Sequence, residues 1–294
     1  MFVPVTETTE AVADSLHQAA HGGGDFAQLI HHVQDSHELE LPFLTIDLPH
    51  LPPFTVAGIT FDMSITKHVV FLWVAAVVLC VIAVTAARQN ARRDAPHGLG
   101  NLVDAMIMFL RDEVVLPNMG KNGLQYMPYL LTTFSLILLM NLFGLVPFGA
   151  SATGNVNVTA GLAIIAFVMI QASSIKAQGV KHYLAHLTGG VHWGLWIIMI
   201  PIEILGLFTK PFALCIRLFA NMIGGHLVLV SLIGLIFIFK NYFIAVAPAG
   251  FVVAINFLEL FVAVLQAYIF TMLTSLFMGL GMPAETHSAE SHGH

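Results

Sequence analysis

Arg217 lies in the string RLFANMIGGH, inside a nearly unbroken apolar stretch from Val191 to Phe239. Apolar chain of that length is at home only where every backbone polar group is satisfied internally, which in a bilayer means helix. A guanidinium stays charged under protein conditions, and a charge near the bilayer centre costs at least about 3 kcal/mol, so its presence points to function. The competing explanation is a side chain that snorkels to an interface.

The rest of the chain has the same character, with 57% hydrophobic and 10% charged residues. A helix needs about 20 mostly apolar residues to span the hydrocarbon. Ile65 to Ala87, Tyr126 to Phe148, Val158 to Ala177, Val191 to Phe239 and Phe243 to Met282 all qualify. The expected fold is therefore an all-α polytopic membrane protein with about five crossing helices, the last two long and tilted. As one helix, Val191 to Phe239 would reach roughly 70 Å. It must tilt steeply, break, or begin in the interface, and Pro201, Pro211 and the Gly224–Gly225 pair are the places to bend. A break would add a sixth crossing and reverse the C-terminus.

Positive charge collects in short cytoplasmic loops. Arg88, Arg92, Arg93, Arg111 and Lys121 follow the first span and Lys176 and Lys181 the third, whereas only Lys67 and Lys240 fall near the other side. The N-terminus is thus expected outside and the C-terminus inside. Residues 1–62 carry nine acidic side chains, Glu7, Glu10, Asp14, Asp25, Asp35, Glu38, Glu40, Asp47 and Asp62, and no lysine or arginine. They lack the basic start and continuous apolar core of a signal peptide, so retention is expected. Leu41 to Pro53 reads as an extended connection leading to a short ordered stretch at Thr55 to Asp62. The chain divides into this acidic, histidine-rich extracytoplasmic segment (1–62), a transmembrane domain (63–282) and a polar tail (283–294). Leu99 to Pro117 alternates apolar and charged residues with helical periodicity, as expected of a helix lying along the interface or docking a partner. Cys80 and Cys215 both sit in apolar segments, so neither a disulfide framework nor a cysteine zinc site is indicated.

Polar residues are few in the last two long segments, and their spacing is informative. Glu203, Lys210 and Arg217 are each seven apart. A seven-residue step returns within roughly 20° of the same helix face, so they form a stripe that Asn221 extends by a turn. Lys210 can reach an interface along its stem. His226, nine residues after Arg217, lies about 180° around the axis. Asn256, Glu259 and Gln266 share a face of the final segment. A carboxylate in lipid needs a partner, and His226 on the preceding helix is the best candidate for Glu259. The amides Asn221 and Gln266 serve equally well as interhelical hydrogen-bonding groups.

The chain also carries, with RLFANMIGGH, the PIE at Pro201 to Glu203, its glutamate fourteen residues before the arginine, LELFVAVLQAYIF at Leu258 to Phe270, and NLFGLVPFG at Asn141 to Gly149. Together they closely resemble subunit a of F-type ATP synthases over roughly residues 65 to 280. The resemblance implies a stator subunit with two proton half-channels, each open to one side of the membrane, that load and unload carboxylates on a rotating c-ring. Arg217 would face those carboxylates, hold each passing one ionised, and block direct passage between the half-channels. Glu203 resembles the acidic residue of the cytoplasmic half-channel. His226 and Glu259 look like the pair lining the outer one, in the reverse of the acid-then-histidine order that some members carry, and Asn221 and Gln266 resemble polar residues flanking the arginine. The implied partners are the c-ring, the peripheral-stalk b subunits, the rest of the complex and lipid, with a stalk contact at Leu99 to Pro117. A non-catalytic subunit of a bacterial plasma (inner) membrane is implied, with no cofactor, metal or nucleic acid.

Two other classes compete. An intramembrane metal enzyme could draw on His182, His186 and His192, although no HExxH string accompanies them. The histidines of the acidic segment, His17, His21, His31, His32, His37 and His50, and those of the tail, His287, His292 and His294, read as solvated. A secondary transporter would use Arg217 to bind an anionic substrate, and predicts transport by the isolated chain.

Overall fold

The structure, a computed structural model, describes residues 38–41, 44–47, 54–56, 59–61, 66–91, 98–146, 151–181, 183, 196–239 and 242–282. Among these, five helical stretches are long and apolar enough to cross a membrane. They are α1 (Lys67–Ala91), α4 (Met127–Leu145, extended by the 3-10 turn Lys121–Tyr126), α5 (Val156–Gln178), α6 (Trp196–Phe239) and α7 (Tyr242–Leu280). Between α1 and α4 lie α2 (Leu99–Phe109), a π-helical turn at Leu110–Val115, and α3 (Leu116–Met119). A 3-10 turn, Ala152–Gly154, precedes α5.

The acidic segment contains two small antiparallel hairpins. β1 (Glu38–Leu41) pairs with β2 (Leu44–Asp47) in the register Glu38↔Asp47, and β3 (Phe54–Val56) pairs with β4 (Ile59–Phe61) in the register Phe54↔Phe61. The second hairpin nearly coincides with the ordered stretch expected at Thr55 to Asp62, beginning and ending one residue earlier. The first replaces part of the expected extended connection. Only two residues separate β1 from β2, the connection length that tight hairpins favour.

α6 does not break. It is helical through Pro201, Pro211 and the Gly224–Gly225 pair for 44 residues, or about 66 Å at 1.5 Å per residue. Each proline removes one internal hydrogen bond, and the bonds on either side carry the helix past it. Among the described residues the helices able to cross therefore number five rather than six. A helix twice as long as the hydrocarbon is thick must cross obliquely or project beyond it.

The expected interfacial helix at Leu99 to Pro117 is divided. α2 exposes Leu99, Leu102 and Met108. The π turn that follows is buried, with Leu110, Val114 and Val115 fully inside the protein. Pro117 explains the change of winding. It has no N–H to offer the carbonyl four residues earlier, so a regular α-helix cannot be maintained there. Next to it, the Val114 carbonyl accepts from Asn118 Nδ2 at 2.8 Å and from Ser275 Oγ of α7 at 3.2 Å. Gly279 rests on the Asn118 backbone with no room for a Cβ. This turn is a clasp onto α7.

α7 packs against α4 and α6, α5 against α6, and α1 against α2 and α4. The main core joins Phe134, Ile137 and Met140 of α4, Leu214 and Leu218 of α6, and Ala267 and Phe270 of α7 to Leu110 and Val114 of the π turn. A second cluster near the other end joins Val115, Met119, Leu130, Ile170 and Met278. Cys215 is buried in the packing, within 3.5 Å of the Thr159 hydroxyl, whereas Cys80 is exposed on α1.

Two sets of contacts identify the ends of the bundle. At one, His68 at the start of α1 meets Ser151 before α5. At the other, Gln178 Nε2 donates to Gly281 O at 2.8 Å and Lys176 Nζ to Gln125 Oε1 at 2.9 Å. The start of the first span and the end of the fifth thus lie at opposite ends, as five crossings require.

Candidate functional site

Arg217 is 21 residues from the start of α6 and 22 from its end, so about 32 Å of helix extends on either side of it. Its side chain is exposed, and among the described residues it has no hydrogen-bond or ion-pair partner within the chain. It shares its face with Ala213, Ala220, Asn221 and Gly224, all exposed and recurring at steps of three and four. Small side chains on one helix face let another helix come close. The face therefore offers a cation in a shallow, lightly populated groove.

Beside that face, α4, α6 and α7 border a half-open cavity of about 300 Å³. Its polar lining comprises Asn141 of α4, Asn221 of α6, and Glu259 and Gln266 of α7. Gly225 makes the room: a Cβ there would overlap the Glu259 carboxylate. Glu259 Oε2 and Gln266 Nε2 are buried without any protein partner. An unsatisfied buried polar atom is costly, and a cavity of this size has room for on the order of ten waters at about 30 Å³ each to satisfy these two. Asn221 connects the cavity to the arginine, being four residues, or one turn, from Arg217 on the same face.

Three of the sequence-selected residues thus share one cavity: Asn221, Glu259 and Gln266. The expected direct pairing of Glu259 with His226 is not formed. Among the described residues no hydrogen bond or ion pair joins them, and His226 is absent from the cavity wall. The reason is helical phase: Gly225 occupies the position facing Glu259, and the next residue is turned away by about 100°. His226 is half-buried on α6.

Glu203 lies fourteen residues before Arg217, about 21 Å along α6 toward the other end. It is half-buried and its charge acts on Tyr183. The Tyr183 phenol, 2.6 Å from Gln171 Oε1 of α5, donates to it. Burial, and secondly the Glu203 carboxylate, push the Tyr183 pKa above its ordinary value of 10.0, so this phenol remains a donor at neutral pH. Lys210, expected to reach an interface, turns onto Phe277 of α7, its Nζ 5.0 Å from the ring centre, within the range of a cation–π contact.

Sequence reasoning passed over Asn141, Gln171 and Tyr183. Asn141 carried the available signal, since an amide in an otherwise apolar span needs a partner. Its Nδ2 donates to Ala263 O of α7 at 3.3 Å, and its Oδ1 accepts from Thr153 Oγ1 at 2.7 Å. Gln171 and Tyr183 are brought together only by the turn after α5. His182, His186, His192 and the histidines of both termini lie outside the described residues, and among the described residues no three metal-ligating side chains converge.

Residues 69–279 match the family model described as ATP synthase A chain. The chain is 50% identical over 268 residues to the ATP synthase subunit a of Chloroherpeton thalassium, covering 90% of this chain and 79% of that one. It is likewise 50% identical to the ATP synthase subunit a 2 of Chlorobaculum tepidum, over 99% of this chain and 81% of the other. At 44% identity it is similar to the ATP synthase subunit a of Anaeromyxobacter dehalogenans, over 98% and 79% of the two chains.

Proposed function

The chain belongs to the ATP synthase subunit a family, and on that premise we propose that Arg217 separates two proton half-channels and presents its charge to carboxylates of a rotating c-ring. It is the proton-translocating stator subunit of the membrane sector of an F-type ATP synthase. The ATP chemistry is done by other subunits, and this chain supplies the stationary half of the proton path.

The observation that carries the reading is Arg217, exposed and without a partner among the described residues, at mid-length of a membrane-spanning helix and next to a cavity of about 300 Å³ into which Asn221, Glu259 and Gln266 bring polar groups. A guanidinium facing lipid is costly, so its counter-charge must come from outside the chain. A ring carboxylate arriving at that face is ionised by the nearby cation and so gives up its proton. Moving on into lipid, it must be reprotonated first, because an unpaired carboxylate is not tolerated there. Rotation thus becomes coupled to proton uptake on one side of Arg217 and release on the other.

The cavity holding Glu259, Asn221 and Gln266, with His226 farther out, is the outer half-channel. Glu203, together with Gln171 and Tyr183, belongs to the cytoplasmic one. The N-terminus faces outside and the C-terminus the cytoplasm of a bacterial inner membrane, with the extracytoplasmic segment ending near residue 62 and the polar tail beginning near 283. The c-ring covers the α6–α7 face, and the b subunits contact the exposed side of α2.

The docking is tested by single cysteines in an assembled complex whose Cys80 and Cys215 have been replaced. Cysteines at Ala220 and Leu227, both exposed, should form disulfides with cysteines placed beside the ring carboxylate, while one at buried Leu214 should not. Absence of cross-links from both exposed positions contradicts the docking.

A further inference from the structure

Asn141 and Ala263 border the cavity that contains Glu259, but the group that holds the Asn141 side chain stands behind the cavity wall. Asn141 is 3% exposed, and Thr153, in the 3-10 turn before α5, is fully buried beside it. The neighbours fix which end of the amide faces which way. Asn141 Nδ2 lies 3.3 Å from Ala263 O. A carbonyl can only accept, so the nitrogen belongs on that side and Oδ1 on the other. Oδ1 lies 2.7 Å from Thr153 Oγ1, which is therefore the donor. That uses the one proton of the threonine hydroxyl, so Thr153 accepts from Ser151 Oγ at 2.7 Å. Gly144 of α4 lets Ser151 come this close, because a Cβ there would overlap both Ser151 Cβ and Met222 Cε.

The direction of this chain of hydrogen bonds matters to the cavity. An amide nitrogen carries two hydrogens, and Ala263 O takes one from Asn141, which leaves the other for water. Gln266 Nε2 is a second donor without a protein partner, and Glu259 Oε2 is an acceptor without one. All three residues border the same cavity. A water that accepts from an amide N–H is left with its own hydrogens to donate, and the free acceptor in reach is the carboxylate. A reversed Asn141 amide would offer oxygen instead, and the water would spend a hydrogen on the wall.

We propose that Thr153 is a positioning residue of the outer half-channel: by donating to Asn141 Oδ1 it keeps the amide nitrogen toward the cavity, so that water there is turned with its hydrogens toward Glu259. The proposal rests on the half-channel reading above. Thr153 handles no proton in transit and acts only through Asn141. Without its hydroxyl, Asn141 Oδ1 is a buried acceptor with no donor, a state costly enough to turn the amide toward cavity water. The turned amide gives up Ala263 O and faces the cavity with its oxygen.

The test uses the complete complex in sealed vesicles, with the rate of proton-driven ATP synthesis measured per assembled complex in ordinary and in heavy water. Wild type, Thr153→Val, Thr153→Ser, Asn141→Leu, the double variant of Thr153→Val with Asn141→Leu, and Arg217→Ala are compared. Valine keeps the shape of threonine and removes the hydroxyl; serine keeps the hydroxyl. Thr153→Val should assemble, work severalfold more slowly, and show a larger solvent isotope effect, because misdirected water delays the proton. Thr153→Ser should restore both quantities to near wild type. In the Asn141→Leu background, Thr153→Val should add nothing, since its effect passes through the amide. A Thr153→Val complex with wild-type rate overturns the proposal, as does a slower one whose isotope effect is unchanged or whose loss adds to that of Asn141→Leu. One that fails to assemble also overturns it, since the residue is then structural. Arg217→Ala separates the two levels. If it abolishes coupling while Thr153→Val is silent, only the role of Thr153 falls; if it couples normally, the half-channel reading falls with it.

Discussion

Glu259 and Gly225 show how closely the site depends on single atoms. The carboxylate can occupy its cavity only because the residue opposite has no side chain. Gly225→Val should push Glu259 aside and lower proton-driven synthesis at least tenfold, with the complex still assembled; an unchanged rate would mean that the carboxylate has room to spare. Tyr183 has the opposite character. With its pKa raised by burial and by Glu203, it keeps its proton through the neutral range, and stability linked to it is lost only as pH rises beyond about 10, its unfolded value. Tyr183→Phe should thus cost about 1 kcal/mol for the hydrogen bond to Gln171, read as a small fall in thermal stability. The shape of the pumping profile near neutral pH should not change, and a displaced profile would show that the phenol titrates there.

The helices were legible where composition alone decides them. All five spans were evident from apolar length, and the stripe of Glu203, Lys210, Arg217 and Asn221 follows from helical phase on an unbroken α6. What the sequence did not reveal depends on contacts between distant segments. The π turn arises from Pro117 but is completed by Ser275, 161 residues away from Val114. The separation of His226 from Glu259 depends on which face of α6 meets α7, and one residue of phase decides it. Gln171 and Tyr183 meet only because the chain reverses after α5. The clasp of the π turn onto α7 is tested by Gly279→Val, which places two methyl groups against the Asn118 backbone. Loss of assembled complex, or a thermal midpoint several degrees lower, is expected. Unchanged stability would mean that this segment is held elsewhere.

As a whole, the molecule is asymmetric in a way that suits a stator. Its core is gathered around α4, α7 and the π turn, whereas α6 and α7 leave large apolar side chains such as Phe208, Phe212, Phe257 and Phe261 exposed along most of their length. Lipid can cover those, but it cannot neutralise Arg217. Among the described residues, two polar groupings lie on either side of that residue along α6: Asn221 and the Glu259 cavity toward one end, Glu203 with Tyr183 toward the other. On the proposed reading an ion crosses only by riding a carriage supplied from outside, and the isolated chain should conduct no protons. The most direct measurement compares ATP-driven proton pumping and passive proton leak in vesicles containing the complete complex, wild type against Arg217→Ala. Pumping should vanish in an assembled complex while passive leak rises, because the barrier between the half-channels has been removed. Unchanged pumping would contradict the central claim and leave the arginine without a role in translocation.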